Sequence, residues 1–352
     1  MKAAILTDTH VGIRNNSDIF IDYQRRFYEE VFFPYCVEND INEIIHLGDY
    51  YDNRKSVNLK ALNANRLCFL EKLREYGMHM TIIPGNHDVY WRNTNELCSL
   101  NELMGHYLSE VTIVDTAQDY QLGDMTIGLI PWITESNWEH TKHYIEKTSC
   151  TIVGAHLELA GFEMQRGVEC HGGMEADLFS KFDLVLTGHF HTCSHKANIR
   201  YLGSSMEFFW SDAHDDKFFH VLDTTTQQIE AIRNPLTLFA RIGYDDTKYD
   251  YDKADLTGFD DIFVKITVRR KTDMEMFNRL IDRLQQRNLH DLKIIEDQTA
   301  IAANSIDQQI DVKDTDEIIQ MYINSMDTDL DRNRLTRMLY DLKQEAYQLQ
   351  VV

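Results

Sequence analysis

The feature that most constrains how this chain folds is a series of short apolar runs, each closed by a polar motif rich in aspartate and histidine. Ala3–Leu6, Glu43–Leu47, Met80–Ile83, Thr151–Gly154 and Leu184–Leu186 are short, apolar and partly β-branched, the pattern of buried strands. They run into Asp8-Thr9-His10, Gly48-Asp49, Gly85-Asn86-His87-Asp88, Ala155-His156 and Gly188-His189-Phe190-His191. Val111–Val114 and Thr126–Ile130 read as further strands. Ile21–Glu38 and Leu59–Tyr76 carry apolar residues every three or four positions, as surface helices do. Alternating strands and helices predict a layered α/β domain with a largely buried sheet. Open α/β sheets place ligands outside the carboxyl ends of their strands. The motifs are therefore expected to meet on one sheet edge.

A chain of 352 residues has room for one large domain of about 200 to 250 residues and a smaller one. Its first residues turn polar at once and no apolar run approaches the ~18 residues of a membrane span. The six cysteines are scattered, which favours reduced thiols over a disulfide framework. These features predict a soluble, cytoplasmic protein. The character changes after about residue 235. Asp260–Val268 reads as a strand, Asp273–Arg287 as a helix and Leu292–Glu296 as a strand. Asp314–Gln350, without Gly or Pro, reads as helices with a turn at Asp327–Asp331. The expected division is a main domain over 1–235, a small α+β unit over 236–305 and a helical tail over 306–352.

The five motifs supply three Asp, five His and one Asn, nearly the ligand set of a two-metal site. Hydrolysis of a phosphate ester needs hydroxide delivered to phosphorus and charge stabilised on the phosphoryl oxygens, and two metals about 3.5–4 Å apart supply both. Asp49, with two oxygens, is the candidate bridge. Imidazole and carboxylate ligands suit Mn²⁺, Fe²⁺ or Zn²⁺ better than Mg²⁺ alone. A formal charge of −22 argues against simple nucleic-acid binding, which favours a basic domain. Two divalent cations would restore about four charges where a phosphate must sit.

A lone D-x-H would mean little. Five ordered motifs outweigh the reading of ordinary surface histidines, which leaves the Gly-His contexts unexplained. His46 reads as a satisfied core histidine, and Phe208, Phe209 and Trp210 as core rather than a stacking platform. Arg14, Arg54 and Arg92 follow three motifs directly, where a phosphate backbone could run, but a solvated surface accounts for them equally. His171 is a weaker candidate for substrate contact. Arg269-Arg270-Lys271 is a weak duplex grip.

The order D-x-H, GD, GNHD, H, GHxH resembles the calcineurin-like metallophosphoesterase superfamily. Within it the chain resembles the SbcD-type double-strand-break repair nucleases, including phage recombination endonuclease subunits. The match is carried by Ile5–Gly12, His46–Arg54, Ile83–Asp88, Leu186–His191 and Tyr201–Ser205. The resemblance implies a layered metallophosphoesterase α/β sandwich with a small α+β capping, DNA-binding domain and a partner-binding helical tail. It implies one metal held by Asp8, His10, Asp49 and His191, and another by Asp49, Asn86, His156 and His189. His87 would protonate the leaving 3′-oxygen or stabilise charge there, with Asp88 orienting it. Two Mn²⁺ are implied, with Mg²⁺ also admissible. So are 3′→5′ exonuclease and single-strand endonuclease activities, DNA as substrate, an SbcC-type ATPase partner, a homodimer, no membrane, and the cytoplasm of a phage-infected host. One position departs from the pattern: cellular members carry His three residues after the bridging Asp, and this chain has Asp52. Three rivals stand beside this reading. GDYYDNR resembles the phosphoprotein phosphatase GDxxDRG, though Asn53-Arg54 breaks its ending. The other two are a nucleotide phosphodiesterase and an inactive scaffold of the same fold.

Overall fold

The computed structural model describes residues 1–165 and 167–296, with Met338 an isolated residue beyond them. The strands alternate their side chains between two cores. In β1 (Lys2–Leu6), Ala3 and Ile5 face one apolar cluster while Ala4 and Leu6 face another. The same split separates Ile44 from Ile45 in β2 (Glu43–His46). Every strand of this kind is apolar on both faces, so it must lie between two layers.

The layers follow. One six-stranded sheet has the order Ile229–Arg233, Phe218–Asp223, β1, β2, β3 (His79–Ile82), β4 (Val111–Ile113). A second has the order Ser194–Lys196, Ile199–Tyr201, Leu184–Gly188, β7 (Ile152–His156), β6 (Met125–Ile130), β5 (Gln118–Leu122). Ile5, Ile45 and Leu47 of the first sheet pack with Leu129, Ile152 and Leu186 of the second. Gly154 permits that approach, because a Cβ there would stand 2.9 Å from the Leu47 side chain. Helices cover the outer faces: Phe27, Phe32 and Phe69 pack on the first sheet, and Ile145 packs with the outer face of the second. The result is a four-layer α/β sandwich.

The helix expected over Ile21–Glu38 lies within a helical run from Asp18 to Glu38, and Leu59–Tyr76 is helical throughout. Each contains a π-helical segment, Phe27–Phe32 and Arg66–Leu70. Tyr28 meets Phe69 there with ring centroids 4.7 Å apart. Beyond residue 236, strands Phe239–Asp245, Phe263–Arg270 and Asp291–Glu296 form a parallel three-stranded sheet. Helix Met274–Gln285 packs Phe277, Leu280 and Leu284 into that unit's own core, and Asp273 caps it by accepting from Met276 N–H at 2.9 Å. The expected strand over Asp260–Val268 starts later, at Phe263, because Asp261 N–H bonds Asn288 C=O, outside the strands of the sheet. The segment 297–305 and the tail expected over 306–352 lie outside the described residues, Met338 apart. Among the described residues no helix is long and apolar enough to cross a membrane.

Candidate metal centre

In the first sheet β1, β2 and β3 are parallel, and in the second β7 is parallel to Leu184–Gly188. The five motifs follow these strands, His156 being the last residue of β7. The loops are tied together by backbone: Asp8 N–H donates to Gly48 C=O at 3.0 Å and His10 N–H to Asp49 C=O at 3.1 Å. Asp8, His10, Asp49 and His189 all have positive φ, between 45° and 92°. That region is costly for non-glycine residues and recurs where function over-determines the backbone. The glycines give clearance. Gly85 lies so close to Asp49, and Gly188 to Thr7 and Asp8, that a Cβ at either would collide with them.

Side chains from all five loops converge. Asp8, His10 and His191 form one group, Asp49, His156 and His189 a second, and His10, Asp49 and His87 a third between them. Asp49 faces both ways: Oδ1 is 3.4 Å from His156 Nε2 and Oδ2 is 3.9 Å from His10 Nε2. Asn86 Oδ1 is 3.1 Å from His156 Nε2 and 2.9 Å from His189 Nδ1. Asp8 Oδ1 lies 3.9 Å from His10 Nε2 and 4.0 Å from His191 Nε2.

The donor chemistry fits cations. His156 Nδ1 faces Leu47 C=O at 2.6 Å and so carries a hydrogen there. In the neutral ring its Nε2 is then a lone pair aimed at the lone pairs of Asn86 Oδ1. His10 Nε2 and His191 Nε2 also face each other, at 3.0 Å, where a proton or a metal must lie between two ring nitrogens. A pair of facing acceptors is reconciled by a proton or a shared metal. Without metal, protons take that place. Burial opposes charge on His10, but Asp52 at 3.5 Å and the carboxylates of Asp49 and Asp8 outweigh it and lift the ring to about 9. Burial likewise opposes His156, and the charge and contact of Asp49, then Asp8, raise it to about 9. Burial holds His189 down to about 3, and the neighbouring His156 adds to this. His191 is lowered by burial and then by His10. Burial would raise Asp49, but His156, His87 and His10 hold it well below the usual carboxylate range.

Asp88 does not touch the His87 ring. Its buried carboxylate accepts from Gly85 N–H at 2.9 Å, Tyr50 N–H at 3.1 Å and Tyr51 N–H at 3.1 Å. It therefore pins the β2 and β3 loops together and acts on His87 through the backbone of that loop. The group that fixes His87 is Asp52, whose backbone C=O lies 2.5 Å from His87 Nδ1. Asp52 thus serves two histidines, its carboxylate facing His10 and its carbonyl facing His87. Beyond the Asp52 loop lies a polar cavity of about 250 Å³ bordered by Asn15, Asn16, Asn53 and Asn58.

Other expectations resolve unevenly. His46 is fully buried and its Nε2 meets Thr9 Oγ1 at 3.0 Å, but its Nδ1 has no partner, so it is only half satisfied. Arg14 turns inward, donating to Phe208 C=O at 2.9 Å and lying over the Phe209 ring. Phe208 is core, yet its ring stands 5.8 Å from His10, and Phe209 stacks on His191. His171 is exposed and joins none of the three groups. The sequence reading missed Trp132, whose ring is 5.2 Å from His189 and 5.8 Å from His156. It also missed Lys217, buried between Asp212 and Asp215 and donating to His191 C=O at 2.9 Å. A buried lysine amid acidic residues is a sequence signal only after its loop is placed.

A layered α/β sandwich with this constellation at one sheet edge defines a class, and the sequence assigns it. Residues 1–193 match the model of the calcineurin-like phosphoesterases, and the chain belongs to that family, whose members are metal-dependent hydrolases. Over 354 aligned residues it is 28% identical to exonuclease subunit 1 of Enterobacteria phage T4, covering 99% of this chain and 100% of that protein. Among solved structures it is similar to an archaeal phosphodiesterase, at 17% identity over 66% of this chain and 100% of that one, with a TM-score of 0.35. It is also similar to the Pseudomonas putida nuclease MPE, at 14% identity over 65% of this chain and 87% of that one, with a TM-score of 0.27.

Proposed function

We propose that this chain is the nuclease subunit of a DNA-processing complex, a Mn²⁺-dependent phosphodiesterase working as 3′→5′ exonuclease and single-strand endonuclease. The observation that carries this reading is the end-to-end similarity to a phage exonuclease subunit, in a chain whose five motifs converge on one edge. An SbcC-type ATPase is the proposed partner, docking on the tail 306–352, in recombination and break repair inside a host cytoplasm. The unit 236–305 is proposed as a DNA-binding cap, and the working form as a homodimer.

Asp8, His10, Asp49 and His191 are proposed to hold one metal, and Asp49, Asn86, His156 and His189 the other. Bound there, two Mn²⁺ (or Mg²⁺) would supply a hydroxide nucleophile and neutralise the phosphoryl oxygens. The protein's own part is positioning. Asp49 presents its two oxygens to opposite histidines, which suits a bridge. His87 has its Nδ1 against Asp52 C=O, which leaves Nε2 free; only as the doubly protonated imidazolium would it give the Nε2 proton to the departing 3′-oxygen and be left neutral. Asp88 sets the loop on which His87 stands.

The test is Mn²⁺-dependent degradation of end-labelled DNA by wild type and His87→Ser. Digestion by wild type, abolished by the substitution while metal stays bound, supports both assignments. Cleavage of a small phosphodiester without cleavage of DNA would remove the DNA reading and keep the hydrolase.

A further inference from the structure

A chain carrying a net charge of −22 gains little from long-range attraction to phosphate, so uncharged surface is a natural source of part of its hold on DNA. Aromatic faces are the chemistry available, because every base has a π-face and stacking requires no positive charge. Two adjacent aromatic residues stand exposed directly after the GNHD motif. Tyr90 is 37% and Trp91 44% exposed, and neither belongs to any of the hydrophobic cores. Their rings meet edge to face with centroids 5.1 Å apart. Exposing two large rings side by side is unfavourable in water, so a surface that keeps them invites an occupant.

The segment that carries them is held firmly. Val89 pairs with Cys98, Tyr90 N–H donates to Leu97 C=O at 2.9 Å, and Ser99 N–H donates to Asp88 C=O at 2.8 Å. The same segment is tied to the loop bearing Trp132: Asn95 Nδ2 donates to Trp132 C=O at 2.8 Å, and Ser136 N–H to Asn93 C=O at 3.2 Å. Trp132 in turn lies against His189. Two linked loops thus carry three aromatic rings, one of them against the His156–His189 side of the metal centre. Four peptide units separate His87 from Trp91, so their Cα atoms are at most about 15 Å apart.

We infer that Tyr90 and Trp91 form a stacking platform for an unpaired nucleobase next to the scissile phosphate. The inference rests on the nuclease reading above and adds how a single strand is held. A base inside an intact duplex offers no free face, so the platform favours single strands and frayed ends. The occupant is a nucleobase, because the platform stands on the segment that follows His87 and is tied to the Trp132 loop against His189.

The test uses the full chain with Mn²⁺ and compares wild type, Trp91→Ala, Trp91→Phe and Tyr90→Ala on a single-stranded oligonucleotide and on a blunt duplex. Trp91→Ala should raise KM for the single strand by between about fivefold and about 150-fold, the range of one base–aromatic stack. Its kcat should stay within about twofold, because the platform holds substrate without touching the reacting atoms. Trp91→Phe should recover most of the loss and Tyr90→Ala should show part of it. A single strand carrying 2-aminopurine near its 3′ end should lose fluorescence on binding wild type and keep it with Trp91→Ala. The inference is overturned if the single-strand KM moves less than about twofold. It is equally overturned if both substrates weaken alike, or if Trp91→Ala changes only the sedimentation of the protein, which would mark a protein contact. If wild type cleaves a small diester and no DNA, the nuclease reading fails and takes the platform with it. If wild type degrades DNA and Trp91→Ala matches it, the platform alone fails.

Discussion

Asp52 shows how much chemistry a single side chain carries when its neighbours are fixed. Its carboxylate stands 3.5 Å from His10 Nδ1, on the far side of the ring from the convergence point. A carboxylate there fixes the imidazole tautomer and raises its basicity, and losing such a partner costs about 10–100-fold in metal affinity. Asp52→Asn should therefore weaken Mn²⁺ binding by about that factor in a calorimetric titration, with the fold intact. An unchanged affinity would reduce Asp52 to its backbone role. Asp88 behaves differently. Three backbone N–H groups depend on it, and stranding buried donors costs about 1–3 kcal/mol each. Asp88→Ala should lower unfolding free energy by at least about 2 kcal/mol in urea, whereas His87→Ser, at a half-buried ring, should leave it nearly unchanged. Equal stability of the two variants would return Asp88 to a role in catalysis. At this scale the sequence was informative where a residue's part follows from its own strand end, as for Asp8, Asp49 and His156. It was silent where the part depends on which loops meet, as for Asp52 against His10 or Trp132 against His189.

Elements were legible where an uninterrupted apolar run ended in a motif. The strands β1, β2, β3 and β7 are apolar on both faces and stand out as runs. The edge strand Ile229–Arg233 mixes polar and apolar residues, and its buried neighbour Phe218–Asp223 is broken by His220 and is followed by none of the five motifs, so neither left a comparable signal. Strand Phe239–Asp245 has charged and small residues between its buried ends and was hidden likewise. Its start is fixed by Glu207, whose Oε2 accepts from Leu238 N–H at 2.6 Å and Phe239 N–H at 2.8 Å. This carboxyl joins the sandwich to the three-stranded unit. Burial pushes it up to about 7 from an ordinary 4.5, against the pull of those two donors. Between these values the folded state holds more protons than the unfolded one. The stability it contributes is full below about 4.5 and falls as pH rises through about 7. Glu207→Gln keeps the acceptor and cannot ionise. Relative to wild type, its unfolding free energy in urea should gain between about pH 5 and pH 8. A constant difference across that range would mean Glu207 does not titrate on folding.

Across the whole molecule, acidity and the metal centre are one problem. The excess of 22 negative charges repels itself in the compact state, and Asp8 and Asp49 are two of its acidic groups that lie buried. In the metal-free protein, burial favours the protonated form of Asp8, and protons on His10 and His156, both near 9, offset the buried carboxylates at neutral pH. A divalent cation offsets the same carboxylates and must displace those protons, so its affinity should rise with pH toward about 9. Because the site assembles from five loops of two sheets, the unfolded chain cannot match it, and binding adds to stability as RT ln(1 + [L]/Kd). At a hundredfold excess over Kd this is about 2.7 kcal/mol, which for a sandwich of this size raises the melting midpoint by roughly 5–10 °C. Mn²⁺ should therefore raise the thermal midpoint by that amount and EDTA should reverse it. Asp49→Asn, which weakens the one side chain facing both halves of the site, should abolish most of the rise. A wild-type midpoint indifferent to Mn²⁺ at both pH 7 and pH 9 would mean that the convergence of aspartates and histidines holds no metal.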